Sequence, residues 1–121
     1  MAGRGFRDLR VWKEGMNLVE QVYRLTRDFP KQELYGLTNQ LRRASVSVPS
    51  NIAEGQTRTN LKEYLYFISN ARGSLAEVQT QLEIAARLSY LTAEQLQPIL
   101  EQADALSKQL FALRKALADR G

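Results

Sequence analysis

The sequence has 121 residues, of which 44% are hydrophobic and 25% charged, with a formal net charge of +4. These values favour one domain, residues 1–121, around a single core. The chain has no cysteine and no histidine, which excludes disulfides, Cys/His zinc sites, thiol nucleophiles and imidazole bases. No segment approaches the ~18 apolar residues of a membrane span, and no apolar run follows Arg4, Arg7 and Arg10 as in a signal peptide. We therefore expect a cytoplasmic protein without membrane contact.

The first predicted helix covers about residues 8–27 and carries two apolar stripes. Phe29-Pro30 ends it, because a residue before proline avoids the α region. The expected core stripe recurs at steps of three and four and comprises Leu9, Trp12, Met16, Val19 and Tyr23. A second stripe lies nearly opposite and comprises Val11, Gly15, Leu18, Val22 and Leu25.

The second stripe is the basis for predicting self-association. A bundle helix needs one buried stripe, so a second stripe indicates a second surface to cover. We expect a homo-oligomer with this stripe at the subunit contacts, together with Val46 and Tyr66 on the backs of their helices. The alternative is that the first helix lies deep and touches two neighbours within its own bundle.

The second helix is predicted at about residues 32–54. Pro49 removes the hydrogen bond to the Ser45 carbonyl, which predicts a kink in one continuous helix. Gly55 suits the C′ position that ends a helix. The core stripe comprises Leu37, Leu41, Ala44, Val48 and Ile52.

The third and fourth helices are predicted at about 60–88 and 92–118. Asn60 with Glu63, and Thr92 with Gln95, have the spacing of N-terminal capping boxes. Gly73 costs the third helix ~1 kcal/mol relative to alanine, and close approach of another helix is the expected compensation. The stripes comprise Tyr64, Ile68, Ala71, Leu75, Val78, Leu82 and Ala85, then Leu96, Ile99, Ala103, Leu106, Leu110, Leu113 and Leu117. Short connections make sequential helices antiparallel, so the predicted fold is all-α, an up-down-up-down four-helix bundle.

The segment from Gln40 to Gly55 is unusual for a helix because it combines several serines with a proline and β-branched residues. Its polar residues are spaced four, four and three apart and share a face, which predicts a polar network beside the core. Glu77 of the third helix is expected to join this network through a salt bridge to Arg43. The network within the segment comprises Arg43, Ser47, Asn51 and Glu54.

The same segment carries a resemblance that extends along most of the chain. The matching residues are Phe6, Leu9, Trp12, Tyr23, Phe29-Pro30, Glu33, Tyr35-Gly36-Leu37, the block from Gln40 to Gly55, Gly73-Ser74-Leu75 and Glu77. In these residues the sequence resembles bacterial four-helix bundle proteins encoded by intervening sequences within large-subunit ribosomal RNA genes. It is also similar to the accessory variability determinant of diversity-generating retroelements. One departure is Ser47-Val48, where the family usually has Ser-Ile.

The resemblance implies fold and assembly more than activity. It implies a ring-like homopentamer and, for the retroelement branch, a basic surface that binds nucleic acid and a reverse transcriptase. It does not assign the chain to either branch.

The positive charge lies in the first half, with a net +5 for residues 1–62 and −1 for residues 63–121. Such asymmetry suggests an acidic partner, of which DNA or RNA is the commonest. The nucleic-acid-binding candidates are Arg7, Arg10, Lys13, Arg24, Arg27, Arg42, Arg58 and Lys62, with Arg4, Lys31 and Arg43 completing the basic set. The alternative interpretation of these basic side chains is a solvated charged face that binds no partner. The alternative function is an oligomeric scaffold that binds an acidic protein and has no nucleic-acid affinity.

An enzyme is not expected. Glu54, Glu77 and Glu83 could form only an all-carboxylate site for Mg²⁺ or Mn²⁺, and glutamates on helices are usually solvated or paired with arginine. The serines lack a suitable base and a nucleophile elbow, and the chain has no glycine-rich phosphate loop. We expect no catalytic residue, no metal and no cofactor.

Overall fold

A computed structural model describes residues 5–121, which form four α-helices joined by short connections. The helices are α1 (Arg10–Thr26), α2 (Leu37–Gln56), α3 (Leu61–Arg87) and α4 (Ala93–Arg120), with 3-10 turns at Gly5–Asp8 and Lys31–Glu33. Both α1 and α3 pack on α2 and α4, which closes the bundle. The connections at 57–60 and 88–92 are too short for anything but antiparallel neighbours. The predicted all-α four-helix fold is confirmed.

The predicted core stripes of α2, α3 and α4 face inward. Their apolar residues recur at helical spacing, so one face of each helix is removed from water. The buried residues are Leu41, Ala44, Val48 and Ile52 of α2, Ile68, Ala71, Leu75, Val78, Leu82 and Ala85 of α3, and Ile99, Ala103, Leu106, Leu110 and Leu117 of α4. The remaining predicted members lie half-buried at the margins of the core: Leu37, Tyr64, Leu96 and Leu113.

The buried face of α1 is the opposite of the predicted one. Leu18 and Val22 have no exposed surface, Val11 and Gly15 are buried with them, and Leu25 packs half-buried against the same core. The prediction that the stripe forms subunit contacts is therefore wrong for Val11, Gly15, Leu18 and Val22, because residues enclosed by their own bundle cannot reach a second chain. For the half-buried Leu25 it stays a prediction. The alternative, burial of this stripe between two neighbouring helices, is what the structure has.

The choice between the two faces of α1 depends on Gly15. A Cβ at Gly15 would lie 3.3 Å from the Pro49 Cβ and 3.5 Å from its Cα, so the glycine lets α1 approach α2 closely. A bulky residue such as Trp12 or Met16 in that place would hold the two helices apart. The expected core stripe of α1 consequently lies at the margin of the core: Leu9 and Trp12 pack half-buried against it, whereas Met16 and Tyr23 each expose 42% of their area.

The start of α2 also differs from the prediction, because the chain makes a separate 3-10 turn before the helix begins at Leu37. The Glu33 carboxylate folds back over this junction. It accepts the Leu37 N–H at 3.1 Å and the Tyr90 hydroxyl at 2.7 Å. These two hydrogen bonds, the Leu37 one first, lower the pKa of Glu33, and the bond to Glu33 raises the pKa of Tyr90. The carboxylate thus supplies an acceptor for an amide that a later helix start leaves without an intrahelical partner.

Two glycines have roles different from those predicted. Gly55 lies inside α2, which continues to Gln56, and a Cβ on it would come within 2.8 Å of the Phe67 Cβ. It therefore permits close packing of α2 on α3 rather than ending the helix. Gly73, for which close approach was expected, is exposed and has nothing within 4 Å of a Cβ position. Pro49 lies within the one continuous helix α2, and the kink there stays a prediction.

The predicted starts of α3 and α4 are confirmed by their caps. The Asn60 side chain accepts the Glu63 N–H at 3.2 Å. Thr92 and Gln95 form the reciprocal box, with the Gln95 N–H donating to the Thr92 hydroxyl at 3.1 Å and the Thr92 N–H to Gln95 Oε1 at 2.9 Å. Such caps satisfy amides of the first turn that have no partner within the helix.

Candidate nucleic-acid interface and self-association surface

Most of the predicted basic candidates are exposed, but only some of them are free to bind an anion. Arg4 lies outside the described residues. Within residues 5–121, Arg10, Lys13, Arg27 and Lys62 have no carboxylate within 4.0 Å. Those four basic side chains are exposed and unpaired with a carboxylate in this range, which suits them to bind phosphate.

The other basic candidates are engaged by the fold to different degrees. Arg24 pairs with Glu20 at 3.8 Å, although both side chains are more than half exposed. The Arg7 guanidinium lies 4.6 Å above the Phe6 ring, a contact that leaves its charge available. A solvent-exposed pair of this length contributes little, so neither arrangement prevents a contact with a partner.

Arg58 is the most fully neutralised of the candidates. Its guanidinium lies 2.6 Å from the Glu54 carboxylate and 3.9 Å from that of Glu63. It also lies 5.0 Å from the centre of the Phe67 ring. Arg58 thus ties the end of α2 to the start of α3, and its charge is balanced within the chain.

Arg42 contributes to the packing of α1 on α2. Its Nε donates to the Thr26 hydroxyl at 2.9 Å, and its guanidinium lies 4.7 Å from the centre of the Tyr23 ring. Thr26 is buried and in turn donates to the Val22 carbonyl at 2.8 Å. The side chain of Arg42 therefore closes one end of the α1–α2 surface, with a cation beside the exposed ring of Tyr23.

The predicted polar network is only partly formed. Asn51 donates to the Ser47 carbonyl at 2.8 Å, while Glu54 binds Arg58 instead. Arg43, Ser47 and Glu77 do share an open groove of about 430 Å³ between α2 and α3. In the part of the chain that the structure describes, Arg43 has no carboxylate within 4.0 Å, so the expected salt bridge to Glu77 is wrong. The groove is wide enough that the two side chains remain solvated rather than paired.

An apolar groove of about 320 Å³ lies between α1 and α2, on the side away from the core. We call it the α1–α2 groove; its lining residues are Trp12, Met16, Val19, Val46, Pro49, Ser50 and Ala53. Val46, which was predicted to face a partner, exposes 40% of its area on this groove. Tyr66, the other residue so predicted, exposes 61% on α3 and packs edge-on against the Phe67 ring, away from the groove.

A basic and aromatic groove between α3 and α4 was not predicted. It has a volume of about 410 Å³, and we call it the α3–α4 groove; its lining residues are Ser69, Arg72, Phe111, Arg114, Lys115 and Ala118. The spacing of three and four from Phe111 to Arg114 and Lys115 was a signal in the sequence, but the net charge of residues 63–121 is negative. Only the packing of two helices brings Arg72 beside them.

The described residues offer little for metal binding or membrane insertion. In residues 5–121 no group of three or more acidic, cysteine or histidine side chains could hold a metal ion. Every helix in the same range is too short or too polar to cross a membrane.

Comparison with known proteins adds a family to the fold. A family model described as 23S rRNA-intervening sequence protein matches residues 7–112. The chain is similar to the crystal structure of a protein of unknown function from the S23 ribosomal protein family of Bacteroides thetaiotaomicron. The TM-score is 0.81 and the identity 20%, over 87% of this chain and 95% of that chain, which shows a shared fold. No curated protein matches the sequence.

Proposed function

The chain belongs to the 23S rRNA-intervening sequence protein family, and from this premise we propose a non-enzymatic, cytoplasmic accessory protein that assembles into a homo-oligomer and binds nucleic acid. The observation that carries the proposal is the α1–α2 groove, an apolar surface left open on a bundle whose core is otherwise closed. Assembly then brings together the free basic side chains of the first half, with no need for catalytic machinery.

Self-association follows from the exposed area of the α1–α2 groove. Met16 and Val46 expose 42% and 40% of their areas, and both line the groove with Trp12, Val19 and Pro49. Covering an apolar groove of this kind with a partner is favourable, because each buried Å² of apolar surface contributes about 25 cal/mol. A second copy of the chain offers the same surface, which is the condition for an isologous or cyclic assembly. The resemblance described above favours a pentamer.

The proposal of nucleic-acid binding is based on unpaired basic side chains that a symmetric oligomer repeats once per subunit. Each chain adds Arg10, Lys13, Arg27 and Lys62 without a carboxylate partner in residues 5–121. Phosphate contacts by such side chains are insensitive to sequence and strongly dependent on salt. A net charge of +4 per chain therefore becomes a substantial positive field on a ring.

The nucleic-acid part of the proposal is tested by fluorescence anisotropy with labelled duplex DNA, single-stranded DNA and RNA, first at low salt and then in a salt titration. We expect micromolar binding whose affinity falls steeply with salt. The double variant Lys13→Gln/Arg27→Gln should weaken binding and reduce the salt slope. The matched control Arg87→Gln/Lys108→Gln removes the same charge from α3 and α4 and should reduce both less.

The result that would refute nucleic-acid binding is no change in anisotropy with any of the three probes at low salt. In that case binding of an acidic polypeptide such as polyglutamate would support the alternative, an oligomeric scaffold for an acidic protein partner.

A further inference from the structure

The α3–α4 groove places cations from two helices around an exposed aromatic ring. The Arg72 guanidinium lies 5.1 Å from the centre of the Phe111 ring, and Arg114 Nε donates to the Ser69 hydroxyl at 2.8 Å. The core positions of α4 are filled by Ile99, Ala103 and three leucines, so Phe111 and its basic neighbours are not part of the core. The groove residues join α3 to α4 only at the surface, through the Arg114–Ser69 hydrogen bond and the Arg72–Phe111 contact, and they form a preformed surface outside the core.

The charges of this groove are not balanced within the described chain. In residues 5–121, neither Arg72 nor Arg114 has a carboxylate within 4.0 Å, whereas Lys115 pairs with Asp119 at 3.2 Å. None of the lining residues is acidic. Two like charges on facing helices repel one another, and an anion between them would relieve that repulsion.

Arg72 adds an unsatisfied donor. Its Nε is buried and has no hydrogen-bond partner among the residues described. A buried donor without a partner keeps the cost of its desolvation. A phosphate in the groove is a bidentate match for arginine, and a turn of the Arg72 side chain toward it would give the Nε donor an acceptor.

Phe111 narrows the choice of ligand to one with a flat face. Phe111 exposes 55% of its area, and the Arg72 guanidinium covers part of the Phe111 ring. Bases stack on aromatic rings and on guanidinium planes, and cations interleaved with aromatic rings are typical of single-strand binding sites. In a duplex the base faces are already stacked on one another, so they cannot stack on the Phe111 ring.

We propose that the α3–α4 groove binds a segment of single-stranded nucleic acid, with Arg72 and Arg114 on phosphates and Phe111 against a base. This inference rests on the proposed nucleic-acid binding and adds a site that lies outside the basic first half. The groove volume of about 410 Å³ falls within the range of preformed ligand sites.

The test is fluorescence anisotropy with a labelled oligouridine of about 12 nucleotides, a length within the site sizes of single-strand binders, and with an RNA duplex of equal length. Phe111→Leu keeps an apolar side chain but removes the ring, and because Phe111 lies outside the core the substitution removes no core side chain. We expect it to weaken oligouridine binding about 5- to 160-fold and to leave duplex binding unchanged.

Arg72→Gln/Arg114→Gln should lower the salt slope for oligouridine by about 1.4, the value for two single-strand phosphate contacts. Far-UV circular dichroism checks that each variant stays helical. The control Arg87→Gln changes one charge of α3 outside the groove and should keep the slope and the affinity near those of the wild type.

Three results would overturn the inference: groove variants that bind oligouridine like the wild type, equal losses for duplex and single strand, or polyglutamate bound as tightly as oligouridine. If oligouridine binding depends on Lys13 and Arg27 but not on the groove, this inference fails and the proposed function stands. If the wild type binds no nucleic acid at all, the proposed function itself fails.

Discussion

Replacing Gly55 with alanine should destabilise the bundle, although the same change in an unconstrained helix is stabilising. A Cβ on Gly55 would lie 2.8 Å from the Phe67 Cβ, 3.1 Å from the Tyr64 ring and 3.3 Å from the Tyr64 carbonyl oxygen. Backbone and Cβ atoms cannot turn aside as the end of a flexible side chain can. Alanine therefore forces α2 and α3 apart locally by about half an ångström in a densely packed region.

The magnitude follows from two opposing terms. Alanine gains about 1 kcal/mol over glycine inside a helix, and overpacking of this kind costs about 1–3 kcal/mol. The net change for Gly55→Ala is a loss of up to about 2 kcal/mol in the free energy of unfolding. Gly73→Ala is the matched control, because its Cβ meets nothing within 4 Å and only the gain of about 1 kcal/mol applies.

The assay is urea denaturation followed by far-UV circular dichroism, with wild type and both variants at one protein concentration. The propensity gain is common to the two variants, so their difference of about 1–3 kcal/mol isolates the steric cost. We expect the midpoint to rise for Gly73→Ala and to fall for Gly55→Ala. Equal stabilisation by both substitutions would refute the close-packing account of Gly55.

Two other predictions concern α1 and the start of α2. Leu18→Ala should cost about 2–5 kcal/mol of unfolding free energy, because Leu18 has no exposed surface. Met16→Ala, at a residue 42% exposed in the single chain, should cost less than about 1 kcal/mol when both variants are measured at a protein concentration low enough to keep the chain monomeric; similar urea midpoints for the two variants would contradict the orientation of α1. A carboxyl group with a lowered folded pKa stabilises the fold above its ordinary pKa of 4.5 and loses that contribution as pH falls through the folded value. Glu33→Gln should therefore flatten the fall of the urea midpoint below pH 4.5, and an unchanged acid profile would exclude this role.

The buried face and the start of a helix could be predicted from the sequence where the helix has a single apolar stripe. The stripes of α3 and α4 have a single apolar periodicity, and local chemistry at Asn60 and Thr92 marks their starts. Helix α1 has two stripes of equal period, and periodicity cannot rank them. The close contact between Gly15 and Pro49 decides between them, and that contact is tertiary.

The same reason explains which parts of the candidate surfaces were missed. A glycine inside a helix destabilises that helix in any sequence. Only the position of the neighbouring helix shows whether the glycine allows a close contact, as at Gly55, or faces open space, as at Gly73. The distribution of charge predicted a basic surface in the first half of the chain, whereas Arg72 and Arg114 come together only when α3 packs on α4. Arg58, a strong candidate by charge, is neutralised by two glutamates that the turn brings to it.

The central claim, that this bundle is a subunit joined through the α1–α2 groove, is tested most directly by light scattering on the protein eluting from a size-exclusion column. We expect the wild type at micromolar concentration to have a multiple of the 13.8 kDa chain mass. The variant Met16→Glu/Val46→Glu should elute as a helical monomer, while Ile84→Glu, at an exposed apolar residue of α3, should keep the wild-type mass. A wild-type mass of 13.8 kDa, or dissociation by Ile84→Glu alone, would contradict the account.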